Sequence, residues 1–478
     1  MINIFELQEE QNVNANSRSI IDELKVMYMR DSRVWIAPTS HGKDSSMQLD
    51  LLWRAILEIP PEARTKPLHV VTSVTGVEIP AFENHVRNYV RKIQQAAREQ
   101  NLPIYVHLSE PDMDKRFLSQ VLGFGNPPPT ESSRFRWCSD KTKLDPVTKI
   151  VNRIMADRMV LDDYDAIMFL GVRNSESTKR KASIAKHSLD DKFARHSDHP
   201  RILVYHPIVD FETDDVWDYL LNRGRLAWGS ETSELLALYN ASNGGECELT
   251  APTGKQTSSC GGSRFGCYTC CHIGRKDNML ANLYNQGDAK VLPLYKWKVA
   301  LYDLRNDARF RLPLRKRVHG KLKGEIEYLE LDAGTEDSIW RYTPGPISIV
   351  GRKMLLQGLL HAELVSGYLE DGFQLLDEDE IDFILECWEK EGFSLKREEL
   401  KPTPIQVDDL FALKPNGILN DKDSTYRGDY SEIIYDVTPS ELAAIQERCN
   451  TLFQDKVWVP SADRKRVKEL QLKSSINI

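Results

Sequence analysis

Arg33-Val-Trp-Ile-Ala-Pro-Thr-Ser-His-Gly-Lys-Asp-Ser-Ser46 is the stretch on which the fold turns. Its first six residues are a short apolar run of strand type, and from Ser45 to Leu57 the residues Met47, Leu51 and Ala55, with Leu52 and Ile56, recur at helical spacing. Between strand and helix, Pro38 to Ser46 forms a polar turn holding one glycine and one lysine. Such a turn aims backbone N–H groups, the positive end of the following helix and an ammonium group at one point, which is what an anionic phosphate requires. The ordinary triphosphate loop needs Gly five residues before its Gly-Lys pair and Ser or Thr after it. Ala37 and Asp44 stand in those places, so the common kinase and GTPase loop is excluded.

Outward from this stretch, strands and helices alternate. Residues 68–74, 104–108, 166–170 and 202–205 read as further strands, and 79–100 reads as a helix stopped by Asn101-Leu-Pro103. The pattern predicts an α/β fold with a mostly parallel sheet flanked by helices. Residues 123–133, 174–200 and 240–259 read as loops. A chain of 478 residues is long for one core, and beyond about residue 289 helical patterns dominate, at 347–366, 378–391 and 439–453. Two domains are expected: 1–288, carrying the phosphate loop, and 289–478, mostly helical.

Apolar runs all fall short of the ~20 residues that a membrane span needs, and the N-terminus lacks the pattern of a signal peptide. A cytoplasmic protein with no membrane partner is expected. Net charge is -8, from 63 basic and 71 acidic residues, which excludes a globally basic nucleic-acid coat and leaves only local contact. The densest candidate is 305–323, with Arg305, Arg309, Arg311, Arg315, Lys316, Arg317, Lys321 and Lys323; Thr178-Lys-Arg-Lys181 is a second.

Eight cysteines are too few for a secreted disulfide scaffold, yet Cys260, Cys267, Cys270 and Cys271 fall together, with Cys138 and Cys247 upstream. Cys387 and Cys449 sit alone in helix-like stretches and read as inert thiols. The C-x6-C-x2-C spacing among glycines brings three thiolates onto one centre. Zinc and an iron–sulfur cubane take the same four thiolates, so spacing leaves both open.

Family resemblance narrows these readings. Ser-x-Gly-Lys-Asp-Ser at 40–45 resembles the pyrophosphate loop of the ATP pyrophosphatase superfamily, usually SGGKDS, with His41 in place of a small residue. Thr75-Gly76, Gly171-Val-Arg-Asn-Ser-Glu-Ser177 and the segment 207–220 are similar to signatures of phosphoadenosine phosphosulfate reductase relatives, the last of them structural in character. Arg-Trp-Cys-Ser-Asp-Lys at 136–141 and Ser-Cys-Gly-Gly-Ser-Arg-Phe-Gly-Cys-Tyr-Thr-Cys at 259–270 resemble the DndC-like and SspD-like sulfurtransferases of bacterial DNA phosphorothioation. That likeness runs from about 34 to 276 and extends through Tyr342-Thr-Pro-Gly-Pro346 and Arg352-Lys353.

What the resemblance implies is an adenine nucleotide α-hydrolase-like fold that cleaves ATP between its α and β phosphates. Ser40, His41, Gly42, Lys43, Asp44, Ser45 and Ser46 would line the phosphates with Thr75 and Gly76. Lys43, Asp44 and Arg173 would carry the chemistry, Asp44 positioning Mg2+ or the loop. A [4Fe-4S] cluster would sit on Cys138, Cys260, Cys267 and Cys270, with Cys271 as replacement ligand or free thiol. DNA would be the substrate in an antiphage modification system, and a cysteine desulfurase and other phosphorothioation proteins the partners. An adenylyl sulfate or phosphoadenylyl sulfate reductase, a tRNA thiolation enzyme and a non-catalytic nucleotide-sensing scaffold are the alternatives.

Overall fold

The structure, a computed structural model, describes residues 4–131, 133, 135–156, 164–175, 187–190, 192–242, 266–306, 310–313, 315–318, 321–326, 328–331, 339–342, 344–405 and 457–460. Two compact units divide them, residues 1–112 with 139–267 and residues 113–138 with 268–478.

The first unit opens with helix α1 (Ile4–Arg30), followed by β1 (Val34–Thr39), α2 (Lys43–Leu57), β2 (Leu68–Ser73), α3 (Pro80–Glu99) and β3 (Ile104–Ser109). Then come α4 (Asp145–Ala156), β4 (Ala166–Phe169), β5 (Phe193–Arg195), β6 (Ile202–Tyr205), α5 (Thr213–Arg223) and α6 (Thr232–Ser242). The six strands form one sheet in the order β3-β2-β1-β4-β6-β5. Five run parallel, and β5 closes the edge antiparallel to β6. The expected α/β fold is thus present, with a short edge strand that the polar composition of residues 192–195 does not announce.

Side-chain alternation along the central strands explains why both faces are covered. Trp35, Ala37, Ile167 and Phe169 join the core under α1, α2, α3 and α5, while Val34, Ile36, Ala166 and Met168 pack with Val151 and Ile154 of α4. Chain order reverses at β1: β2 and β3 lie to one side, β4 and β6 to the other. In an open sheet this switch point leaves a crevice outside the carboxyl ends of β1 and β4, where ligands gather.

In the second unit, α7 (Asn278–Asn285), α8 (Val291–Asn306), α9 (Ile349–Ser366) and α10 (Glu378–Lys390) are the main helices, with short strands β7 to β12 between Arg311 and Ile347 and β13 at Val457–Pro460. Asp277, Ser348 and Asp377 cap three of these helices through N–H groups of the first turn. Residues 113–138 belong here because the C-terminal helices hold them: the Glu380 carboxylate accepts from the Ser119 N–H and hydroxyl, both at 2.9 Å, and the Trp388 indole donates to the Leu122 carbonyl at 2.6 Å. Arg352, fully buried, bonds the Gly123 carbonyl and Glu391, so this part of the Arg352-Lys353 motif serves packing. Helices expected at 347–366 and 378–391 are present, and the one expected at 439–453 lies outside the described residues. Among the described residues no helix is long and apolar enough to cross a membrane.

Candidate active site

Gly42 is the N-cap of α2, with extended backbone (φ -81°, ψ 175°) and no side chain to close the helix end. The N–H groups at the start of α2 therefore face the crevice at the switch point with no cap from residue 42 itself, a donor set suited to an anion, and the Lys43 N–H meets the Tyr239 hydroxyl. Around them, the Ser45 hydroxyl donates to the Gly42 carbonyl at 3.2 Å and lies 3.3 Å from that of Ser40. The Ser46 hydroxyl is buried and has no hydrogen-bond partner among the described residues.

Residue 41 has φ +55°, the left-handed region. An L-residue pays roughly 1 kcal/mol or more there, which accounts for the small residue in the usual motif. His41 meets the demand by turning its ring into the protein, where it is 1% exposed. Its Nε2 lies 2.9 Å from the Thr72 hydroxyl of β2, its ring meets Tyr89 edge-on at 5.6 Å, and its carbonyl accepts from His85. Burial, and then the neighbouring His85, push the His41 pKa down to about 3; burial holds His85 at about 4. Both rings are neutral near pH 7, and the His41 imidazole lies beneath the loop.

Lys43 is buried, with a side chain 6% exposed, and its ammonium lies 3.2 Å from Asp44 Oδ2. Arg173 Nε donates to Asp44 Oδ1 at 2.7 Å. The rest of the guanidinium bonds the Ser175 hydroxyl (3.0 Å), the Phe211 carbonyl (3.3 Å) and the Thr213 hydroxyl (3.2 Å). Arg173, 2% exposed, thus reaches the loop through Asp44 and is anchored by the start of α5. The Asp44 carboxylate is thus held between two cations. Gly171 allows this approach: a Cβ there would stand 3.0 Å from the Asp44 carbonyl oxygen and 3.1 Å from Gln48 Oε1.

Thr75 and Gly76 follow β2 at the same sheet edge. Glu78 folds back over them, its carboxylate accepting from the Thr75 N–H (2.9 Å), the Thr75 hydroxyl (2.7 Å) and the Gly76 N–H (3.1 Å). Glu78 also forms a β-bridge with Cys267, whose sulfur lies 3.7 Å from the Thr75 hydroxyl. A cysteine 192 positions away in sequence is thereby brought to the edge that carries the phosphate loop.

Cys138 and Cys270 are half-buried in the second unit, and Cys260 lies outside the described residues. Among the described residues no three His, Cys, Asp or Glu side chains form a group able to hold a metal ion. Cys271 is a buried thiol whose pKa burial pushes up to about 12. In the basic segment, Arg305 donates to the Pro128 carbonyl at 2.9 Å and Arg311 to the Gly345 carbonyl at 2.7 Å, so both serve the second unit's own fold. The side chains of Arg309, Arg315, Lys316, Arg317, Lys321 and Lys323, and all of Thr178-Lys-Arg-Lys181, lie outside the described residues.

Sequence reasoning misses Tyr239, Thr72, Glu78 and Thr213, which complete these contacts. Thr213 lies within the quoted segment 207–220, and Thr72 and Glu78 flank Thr75-Gly76; Tyr239 meets Lys43 across 196 positions, with no local signal.

Residues 35–226 match the phosphoadenosine phosphosulfate reductase domain. The match covers less than half of the chain and is a likeness of that part. An uncharacterized protein of Methanocaldococcus jannaschii is 26% identical over 220 residues, which is 45% of this chain and only 38% of that relative. Among solved structures, the phosphoadenylyl-sulfate reductase of Candida auris in a phosphate complex gives a TM-score of 0.27 at 9% identity, covering 47% of this chain and 90% of that one. Candida glabrata FMN adenylyltransferase with FAD and inorganic pyrophosphate gives 0.28 at 12% identity, covering 57% and 75%. Scores this low carry no argument, and the fold rests on the strand order.

Proposed function

We propose that the chain is an ATP-dependent sulfurtransferase that activates a DNA backbone phosphate and replaces one of its oxygens with sulfur. The observation that carries this reading is the shared sheet edge: the Ser-x-Gly-Lys-Asp-Ser loop at the switch point, and Cys267 held by Thr75 and Glu78 along the same edge. A non-bridging phosphodiester oxygen attacks the α-phosphorus of ATP, and pyrophosphate leaves. The terminal sulfur of a cysteine persulfide, loaded by a cysteine desulfurase, then displaces AMP and leaves the DNA phosphorus joined to its carrier as R–S–S–P; a second cysteine thiolate attacks the carrier sulfur, releasing the phosphorothioate and leaving a cysteine disulfide that an external thiol reductant reopens. Lys43 and the N–H groups at the start of α2 meet the charge that grows on the departing pyrophosphate, while Arg173 acts through Asp44 to hold the loop. The cysteines Cys138, Cys260, Cys267 and Cys270 would supply electron-transfer chemistry with a [4Fe-4S] cluster bound, and Mg2+ would accompany the triphosphate.

Mass spectrometry of DNA from cells tests the reading. Sulfur-containing dinucleotides should be present with the intact protein and absent with Lys43→Ala or Cys267→Ala, because activation and sulfur delivery act in series. Their persistence in either variant, with no redundant enzyme, refutes it. A second reading, reduction of a sulfated adenine nucleotide, is favoured by the domain matched over 35–226; sulfite formation from such a nucleotide would identify it.

A further inference from the structure

Tyr239 of α6 meets the phosphate loop in three ways. Its hydroxyl oxygen accepts from the Lys43 N–H, the first of α2, at 3.1 Å. Its ring lies 5.5 Å from the Lys43 ammonium. The same oxygen fills the open side of Gly42, where a Cβ would stand only 3.1 Å from it. In phosphate loops the missing Cβ and the first helical N–H are what let an anion oxygen approach the backbone. The phenol oxygen thus stands where a phosphate oxygen would stand, and its ring helps bury the lysine whose charge the phosphate would use. Trp217 of α5, edge-on to Tyr239 at 5.1 Å, steadies the ring in this place.

We infer that Tyr239 is a built-in occupant of the anion site, a plug that a nucleotide's phosphates must displace from the start of α2. The inference rests on the nucleotide reading of the loop and adds a control on entry. The hydroxyl and the phosphate compete for one N–H group and one cavity beside Gly42, so loss of the hydroxyl favours the phosphate. A purely structural tyrosine predicts the opposite, since loosening α6 would weaken the site or leave its affinity unchanged.

Calorimetric titration of the full chain with inorganic pyrophosphate, and separately with ATP, tests it on the intact protein, Lys43→Ala, Tyr239→Phe and Tyr239→Ala. Tyr239→Phe keeps the ring packed on Trp217 and removes only the competing oxygen. It should bind pyrophosphate about threefold to tenfold tighter, the scale of one hydrogen bond no longer given up on binding. Tyr239→Ala should bind at least as tightly as Tyr239→Phe if it folds, and the Phe variant decides the matter if it does not. Equal or weaker binding by Tyr239→Phe, with the intact protein binding and Lys43→Ala impaired, overturns the plug and leaves the nucleotide reading standing. Absence of pyrophosphate and ATP binding in every protein overturns the nucleotide reading, and the plug with it.

Discussion

Replacing His41 with glycine should change the pH dependence of stability more than the activity. At pH 8 the variant loses the bond to Thr72, about 1 kcal/mol, and leaves a cavity under the loop, about 2–3 kcal/mol. It recovers about 1–2 kcal/mol because glycine takes the left-handed backbone at 41 without strain, less about 0.5–1 kcal/mol for the freer unfolded chain. The net deficit is about 2–3 kcal/mol. In the intact protein His41 stays neutral when folded down to about 3, whereas unfolded it takes a proton near 6.5. Its contribution is therefore complete above pH 6.5 and is lost as pH falls toward 3. At pH 5, about 1.5 units below the unfolded value, the loss is about 2 kcal/mol in the intact protein and nil at this position in the variant. Urea unfolding at both pH values should show the deficit shrinking to within about 1 kcal/mol of zero at pH 5. A deficit that is constant, or that grows on acidification, refutes the argument that a buried neutral imidazole supports the loop. ATP cleavage should be preserved in the variant, because the phosphate-facing groups are unchanged.

Arg173→Ala removes one of two cations from Asp44 and should cost about 3 kcal/mol in urea unfolding, with a smaller fall in ATP turnover than Lys43→Ala; a change under about 0.5 kcal/mol would contradict the buried network. In folded protein at pH 8, Cys271 should resist iodoacetamide until denaturant is added, since its pKa near 12 keeps it a thiol; rapid native labelling at that residue counts against its burial. For DNA, Arg315→Ala, Lys316→Ala and Arg317→Ala together should flatten the dependence of affinity on salt by roughly three counterions' worth and leave DNA-independent ATP cleavage unaltered; an unchanged slope removes this segment from the phosphate contacts.

Much of the first unit was legible because its strands are apolar and its motifs fall where strand meets helix. The strand read at 33–38 and the helix read at 45–57 fall within two residues of Val34–Thr39 and Lys43–Leu57. Helix α1 was not, since Asn12, Asn14, Asn16 and Ser17 interrupt its middle, yet it buries Ile20, Ile21, Leu24 and Tyr28 in the core with α2. The strands between Arg311 and Ile347 were hidden by charge: a run such as Arg315-Lys-Arg-Val318 reads as a basic cluster for local nucleic-acid contact, with no strand signal, whereas the structure pairs it antiparallel with Lys321 to Ile326.

At the site, residue types were legible and their partners were not. Nothing local tells that His41 turns inward, since the cause is a positive φ that only the folded turn imposes together with Thr72 on the next strand. Arg173 reads as one of the residues that carry the chemistry, but the bonds it makes go to Asp44, Ser175, Phe211 and Thr213. Cys267 and Tyr239 reach the loop region by topology alone.

The central claim is that the loop splits ATP between its α and β phosphates. Purified full-length protein incubated with ATP labelled at the α-phosphate and, separately, at the γ-phosphate, in the presence of DNA, tests it by product identity. The account predicts AMP and pyrophosphate, with Lys43→Ala slower by about two orders of magnitude. Formation of ADP and inorganic phosphate, or AMP formation that Lys43→Ala leaves unchanged, would contradict it.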